Sequence, residues 1–126
     1  MLDPYADNLV SIETLDSVVL VSMRGEWDLS VADQLCRTFG RISTKKDVVI
    51  DLRAVAFLDS TGLSHIMQLH RRLAFAGRRL ETISTGIVKR LLAISALDRL
   101  VGISPERLSW IDSRRSGSRS ALGVWG

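Results

Sequence analysis

The sequence predicts an α/β domain, a mixed sheet of four to five strands covered by three to four helices. Three observations carry this prediction. Short apolar runs of strand length alternate with longer segments of 3.6-residue period. The first two runs are separated only by a turn, whereas the later ones are separated by helical segments. The first two helical segments are bounded by start and stop residues, a serine before each and a glycine after it.

In chain order, "LVSIETL" (9–15) places Val10 and Ile12 on one face and Ser11 and Glu13 on the other, the pattern of an edge strand. "SVVLVSMRG" (17–25) follows the turn residue Asp16 and is richer in β-branched residues, so the two runs read as a hairpin. Ser30 then precedes "VADQLCRTFG", whose predicted apolar stripe is Ala32, Leu35, Cys36 and Phe39, with Gly40 as the stop. "DVVIDL" (47–52) is nearly continuous in apolar residues, as expected of a strand buried on both faces. A helix after Ser60 carries Leu63, Ile66, Met67, His70, Leu73 and Ala74 at helical spacing and ends at Gly77. "RRLETIS" (78–84) and the weaker "RLVGI" (99–103) are the remaining strands. A third helix over 86–97 buries Ile87 or Val88, then Leu91, Leu92 and Ile94, and Ser104-Pro105-Glu106 starts a short fourth element. A hairpin leading into βαβ units implies parallel strands joined by right-handed crossovers.

Length and charge agree with one domain. A chain of 126 residues falls within the usual span of a single globular unit. The net charge of +3 comes from 17 Lys and Arg against 14 Asp and Glu, and Arg114, Arg115 and Arg119 account for the excess. The expected division is therefore a neutral domain over 1–112 and a Ser-, Gly- and Arg-rich, unstructured tail over 113–126. That tail reads as solvated, and its arginines alone are a weak basis for nucleic-acid or membrane binding. No apolar run reaches the length of a membrane span. The N-terminus has acids and a proline where a secretory signal needs basic and apolar residues, and the single Cys36 precludes an internal disulfide. A cytoplasmic protein is expected.

The most specific local chemistry lies in "FLDSTGLSHI" (57–66), where a polar triplet separates a strand from a helix. Sites in such sheets gather at the carboxyl ends of strands. Ser60 is expected to cap a helix beginning at Thr61, and Asp59 adds an acid where the helix dipole favours one. Gly62, lacking a side chain, is expected to leave the turn open to close approach. A capped helix start explains all of this by itself.

Further segments point beyond a cap. "RGEWDLSVADQL" (24–35), "VVIDLRAVAFLDSTGLSHIMQLHRRLAFAGRRL" (48–80) and "IVKRLLAISALDRLVGI" (87–103) together resemble the STAS domain family, and within it the stand-alone anti-sigma factor antagonists of bacteria. The D-S-T-G-L turn in its strand–helix setting is a fairly specific signature, whereas Gly25, Glu26 and Asp28 of a G-E-x-D stretch would be weak alone. The resemblance implies that Ser60 is phosphorylated by a partner anti-sigma factor with serine-kinase activity. It also implies that the unphosphorylated protein binds this partner and frees the sigma factor, with a phosphatase reversing the modification. By position it assigns Asp28, Asp59, Ser60, Thr61, Gly62 and Leu63 to the docking surface. The residues themselves lead to the expectation of no cofactor, no metal and no direct nucleic-acid or membrane partner, and of a monomer or, through the edge strand at 9–15, a weak homodimer. The second reading is an accessory subunit of another assembly, such as a lipid-transport ATPase complex or a stressosome-like scaffold, docking through the same turn. Thr61 replaces the second serine often found in the family, and the element from Ser104 is shorter than the final helix of many relatives.

Other residues invite sharper readings that the spacing does not support. His65 and His70 are five apart, not at metal-ligand spacing. Asp59, Ser60 and a histidine lack the G-x-S-x-G elbow of a hydrolase, so an enzyme is not expected. Cys36 reads as a core residue and His70 as a packing residue, while Trp27, taken as a loop residue, is either a lid on the core or a contact anchor.

Overall fold

The structure, a computed structural model, describes residues 9–27, 32–94, 101–102 and 104–114. The elements run β1 (Leu9–Leu15), β2 (Val18–Trp27), α1 (Ala32–Gly40), β3 (Asp47–Leu58), α2 (Ser60–Phe75), β4 (Leu80–Ile83), α3 (Gly86–Ile94), β5 (Val101–Gly102) and α4 (Pro105–Arg114). The strands form one five-stranded sheet in the order β1-β2-β3-β4-β5. β1 is antiparallel to β2, and every later neighbour is parallel, so the sheet is mixed as the hairpin and βαβ pattern require.

Two apolar layers hold the sheet. On one face Val19, Val21, Met23, Val48, Ile50 and Leu80 pack against Leu35 and Phe39 of α1, Ile66, Leu69 and Leu73 of α2, and Val88 and Leu92 of α3. On the other face Leu15, Val18, Leu20, Val49 and Ile83 meet Ile111 of α4, with Leu108 and Trp110 packed alongside. Ion pairs fasten α4 in place. Arg107 Nε donates to Glu81 Oε1 at 2.7 Å, and the Arg53 guanidinium bridges Asp51 (2.9 Å) and Asp112 (3.1 Å). The hydrogen bond to the Asp51 carboxylate outweighs burial and holds Arg53 firmly in its charged form, with Asp112 adding to it.

Several helix faces differ from the spacing read in the sequence. In α1 the buried residues are Leu35, Thr38 and Phe39, and Cys36 is exposed. Ile42, just past the helix, is buried too, which turns the inward stripe to 35, 38, 39 and 42. In α2 the stripe is Gly62, Ile66, Leu69 and Leu73, so Ala74 is exposed and Leu63, Met67 and His70 are half-buried. In α3 Val88 rather than Ile87 faces inward, and Ile94 is exposed; residues 95–97 of the expected helix lie outside the described residues. The Ser104 hydroxyl accepts a hydrogen bond from the Arg107 N–H at 3.2 Å, as a cap should. The helix that follows reaches Arg114, so Ser113 and Arg114 are helical although the sequence assigns them to the tail.

The largest departure is in β3. The strand continues past Leu52 to Leu58, and its second half pairs only with β2, Arg24 with Ala54 through Trp27 with Leu58. β4 ends earlier, at the Asp51–Ile83 pair. Register shifts between Ser22 and Arg24 and between Gly25 and Glu26 break the two-residue alternation, and Gly25 adopts the left-handed φ of 101° that such an irregularity tolerates best in glycine. Burial in this half falls at Val55 and Leu58, a spacing of three that does not look like a strand in the sequence. Trp27 belongs to β2, not to a loop, and is fully buried. The extended β2–β3 pair thus projects beyond β4, and its tip carries the polar triplet.

Candidate functional site

The turn is built from the ends of β2 and β3 and the first turn of α2. Asp59 has an extended backbone (φ −101°, ψ −169°), and its carboxylate Oδ1 accepts from the N–H groups of Thr61 at 2.8 Å and Gly62 at 3.3 Å. Its own N–H donates to the carbonyl of Trp27 at 3.2 Å, and its carbonyl accepts from Leu63 N–H at 3.0 Å. The capping residue is therefore Asp59, not Ser60 as the sequence suggested. The cause is the hydrogen bond to Trp27, which keeps residue 59 in line with the strand, so that its carboxylate reaches forward over the first helical amides. Ser60 becomes the first helical residue and is exposed.

The other assigned residues are placed differently from one another. Thr61 and Leu63 are half-buried, and Leu63 packs against the main core. Gly62 is buried, and a Cβ there would collide with the Leu58 side chain and sit 3.3 Å from the Trp27 carbonyl. Its role in the turn is close packing of α2 on the strand ends rather than openness to a partner. Asp28 lies outside the described residues. Phe57 and Glu26, paired in register beside the turn, are both exposed, Phe57 by 45%. Phe57 is not among the residues the sequence singles out, because the continuous apolar run ends at Leu52, whereas the strand reaches Leu58 and turns Phe57 outward.

Chemically, the site offers an exposed primary hydroxyl beside a carboxylate already occupied by two amides. His65 is directed to the core side of α2, its ring edge-on to Phe39 at a centroid distance of 6.2 Å. Among the described residues, no group of three or more His, Cys, Asp or Glu could hold a metal ion. Nor is any described helix long and apolar enough to cross a membrane. The cap itself is testable. Asp59→Ala should cost about 1 kcal/mol in denaturant unfolding, whereas Asp59→Asn, an equally good cap, should stay within a few tenths. Equal losses for the two variants would show that the cap contributes nothing.

The fold matches the anti-sigma factor antagonist of Mycobacterium paratuberculosis with a TM-score of 0.72 at 25% identity, over 92% of this chain and 100% of that one. It matches a putative anti-sigma factor antagonist of Thermotoga maritima with a TM-score of 0.66 at 19% identity, over 84% and 94% of the two chains. Phosphorylated SpoIIAA of Bacillus matches with a TM-score of 0.52 at 20% identity, over 83% and 98%. A comparison with curated proteins finds no significant match. The STAS domain model matches residues 10–108, from the edge strand through the last helix's first turn, and includes the whole Asp59–Leu63 turn. The chain belongs to the STAS domain family.

Proposed function

We propose that this protein is a cytoplasmic anti-sigma factor antagonist whose binding is switched at Ser60. Unphosphorylated, it docks through the turn (Asp28, Asp59, Ser60, Thr61 and Leu63, supported from beneath by Gly62) onto an anti-sigma factor with serine-kinase activity and releases the sigma factor. Phosphorylation of Ser60 by that partner ends the complex, and a phosphatase restores it. The protein acts by binding, not by catalysis. The observation that carries this reading is the division of labour in the turn: Asp59 makes the cap, and the Ser60 hydroxyl stays exposed at the first helical position. The likeness to the mycobacterial antagonist, and the phosphorylated form in which SpoIIAA has been solved, support it.

The electrostatics follow from that division. A phosphate adds about −1.5 to −2 charge and three acceptor oxygens. The helix dipole favours it at this end of α2, so the fold tolerates the modification. The amides of Thr61 and Gly62, however, already serve Asp59, so the new charge stands beside an existing carboxylate. An interface that desolvates both anions without a cation is strongly penalised.

The test is incubation with candidate anti-sigma factor kinases and ATP, read by intact and peptide mass. One phosphate on Ser60, absent in Ser60→Ala, is expected. Modification of another residue, or none by a kinase that binds the protein, would overturn the proposal. Recovery of a transporter ATPase as the bound partner would replace it with the accessory-subunit reading.

A further inference from the structure

The neutral charge of the domain hides a strong asymmetry along α2. Its carboxyl end lies in the segment "RRLAFAGRR" (71–79), where Phe75 is 97% exposed. Ala74, Ala76 and Gly77 beside it are also exposed, and so are Arg71, Arg72, Arg78 and Arg79. The geometry of the knob is fixed. Gly77 turns the chain with a left-handed φ of 75°, Gly77 N–H donates to Ala74 O (3.0 Å) and Arg78 N–H to Leu73 O (2.7 Å). Arg79 is then tied to the start of β3, its N–H donating to Asp47 Oδ1 and its carbonyl accepting from Val48 N–H, each at 3.0 Å.

Other elements bring more cations to the same end. The Arg72 guanidinium donates to the carbonyls of Phe39 (2.9 Å) and Ile42 (3.0 Å), drawing in the end of α1 and the following loop with exposed Arg41 and Lys45. Lys46 Nζ donates to Asp16 O at 3.0 Å, and Arg114 pairs with the Asp16 carboxylate at 3.2 Å, so the β1–β2 turn and the end of α4 are here too. The acids these bonds bring to this end, Asp16 and Asp47, are thus both engaged. Ser60 sits at the other end of α2, about 22 Å away along a rise of ~1.5 Å per residue.

We propose that this basic pole docks on an anionic phospholipid surface, with Phe75 seated among the headgroups and the Ser60 turn facing away. Charge complementarity and the apolar knob favour this partner together. Clustered arginines are drawn to anionic headgroups, and an aromatic side chain gains by leaving water at the same interface. A duplex nucleic-acid backbone would use the arginines and leave Phe75 in water, whereas a single strand would stack a base on it, an outcome the test separates. This departs from the expectation of no membrane partner, which weighed only the arginines of the tail; the fold gathers Arg41 and Lys45 beside Arg71, Arg72, Arg78 and Arg79. The inference does not depend on the phosphorylation of Ser60.

The test is co-sedimentation of the full chain with vesicles of phosphatidylcholine alone or mixed with phosphatidylglycerol. Binding to the mixed vesicles only, falling as salt rises, is expected. The double variant Arg78→Glu/Arg79→Glu should lose at least about tenfold in binding, in line with the contribution of each basic residue at such a surface. Phe75→Ser should bind several-fold more weakly with an unchanged unfolding midpoint, since the side chain makes little contact in the fold. Ser60→Asp should bind as wild type. No sedimentation of the wild type at low salt would overturn the proposal. So would full binding by the double variant, or loss of binding only when Arg115 and Arg119 are replaced. Binding of a single-stranded oligonucleotide that depends on Phe75, without vesicle binding, would reassign the pole to nucleic acid.

Discussion

Replacing Trp27 by alanine is expected to lower the free energy of unfolding by about 3–5 kcal/mol, the cost of deleting a large aromatic side chain from a packed core. Trp27 is fully buried at the end of β2, in the same cluster as Leu35, Leu58 and Ile66. Its carbonyl also holds Asp59 in line, and its backbone lies against Gly62. The cavity would therefore open beneath the turn that displays Ser60. Thermal unfolding should fall by more than ~10 °C for a domain of this size. Trp27→Phe should cost less, because the indole N–H has no hydrogen-bond partner among the described residues and only volume is lost. A Trp27→Ala protein within ~1 kcal/mol of wild type would show that the indole is a surface anchor instead.

Ser60→Asp is expected to weaken binding to the anti-sigma factor about 100-fold, the equivalent of ~3 kcal/mol. The new carboxylate would stand one residue from Asp59, whose own oxygen already accepts from Thr61 and Gly62. Ser60→Ala should bind persistently and resist release by ATP. Titration of each variant against the immobilised partner measures both. Affinity of Ser60→Asp equal to wild type would exclude charge as the switch. Loss of binding in Ser60→Ala would instead mean that the hydroxyl makes a contact the complex needs. Stability should separate from binding in these variants, because Ser60 is exposed and makes no cap.

Much of this is legible in the sequence alone. The hairpin, the parallel order of the later strands and the serine cap on α4 follow from runs of apolar residues, turn residues and start signals that act over a few positions. The turn at 59–63 was legible as a helix start for the same reason. Its details were not. Which of two adjacent polar residues caps α2 depends on the bond from Asp59 N–H to Trp27, a residue far away in the chain. The full length of β3, and with it exposed Phe57, depends on register shifts in β2 that no periodicity in β3 reveals. Cys36 and Ala74 were assigned to inner faces because several neighbouring stripes on a helix are nearly equally apolar, and only contact with the sheet selects one.

Local order, fold class and the residues of the turn were thus determined by the chain's own pattern, since short-range propensity and periodicity are written in neighbouring residues. Contacts between distant segments decided the rest. They left Ser60 exposed by giving the cap to Asp59, buried Trp27 under it, and brought Arg41, Lys45 and Lys46 to the end of α2 where arginines already flank Phe75 in the sequence. Net charge is a sum over residues, but a field depends on where they are placed, and only the tertiary fold places them.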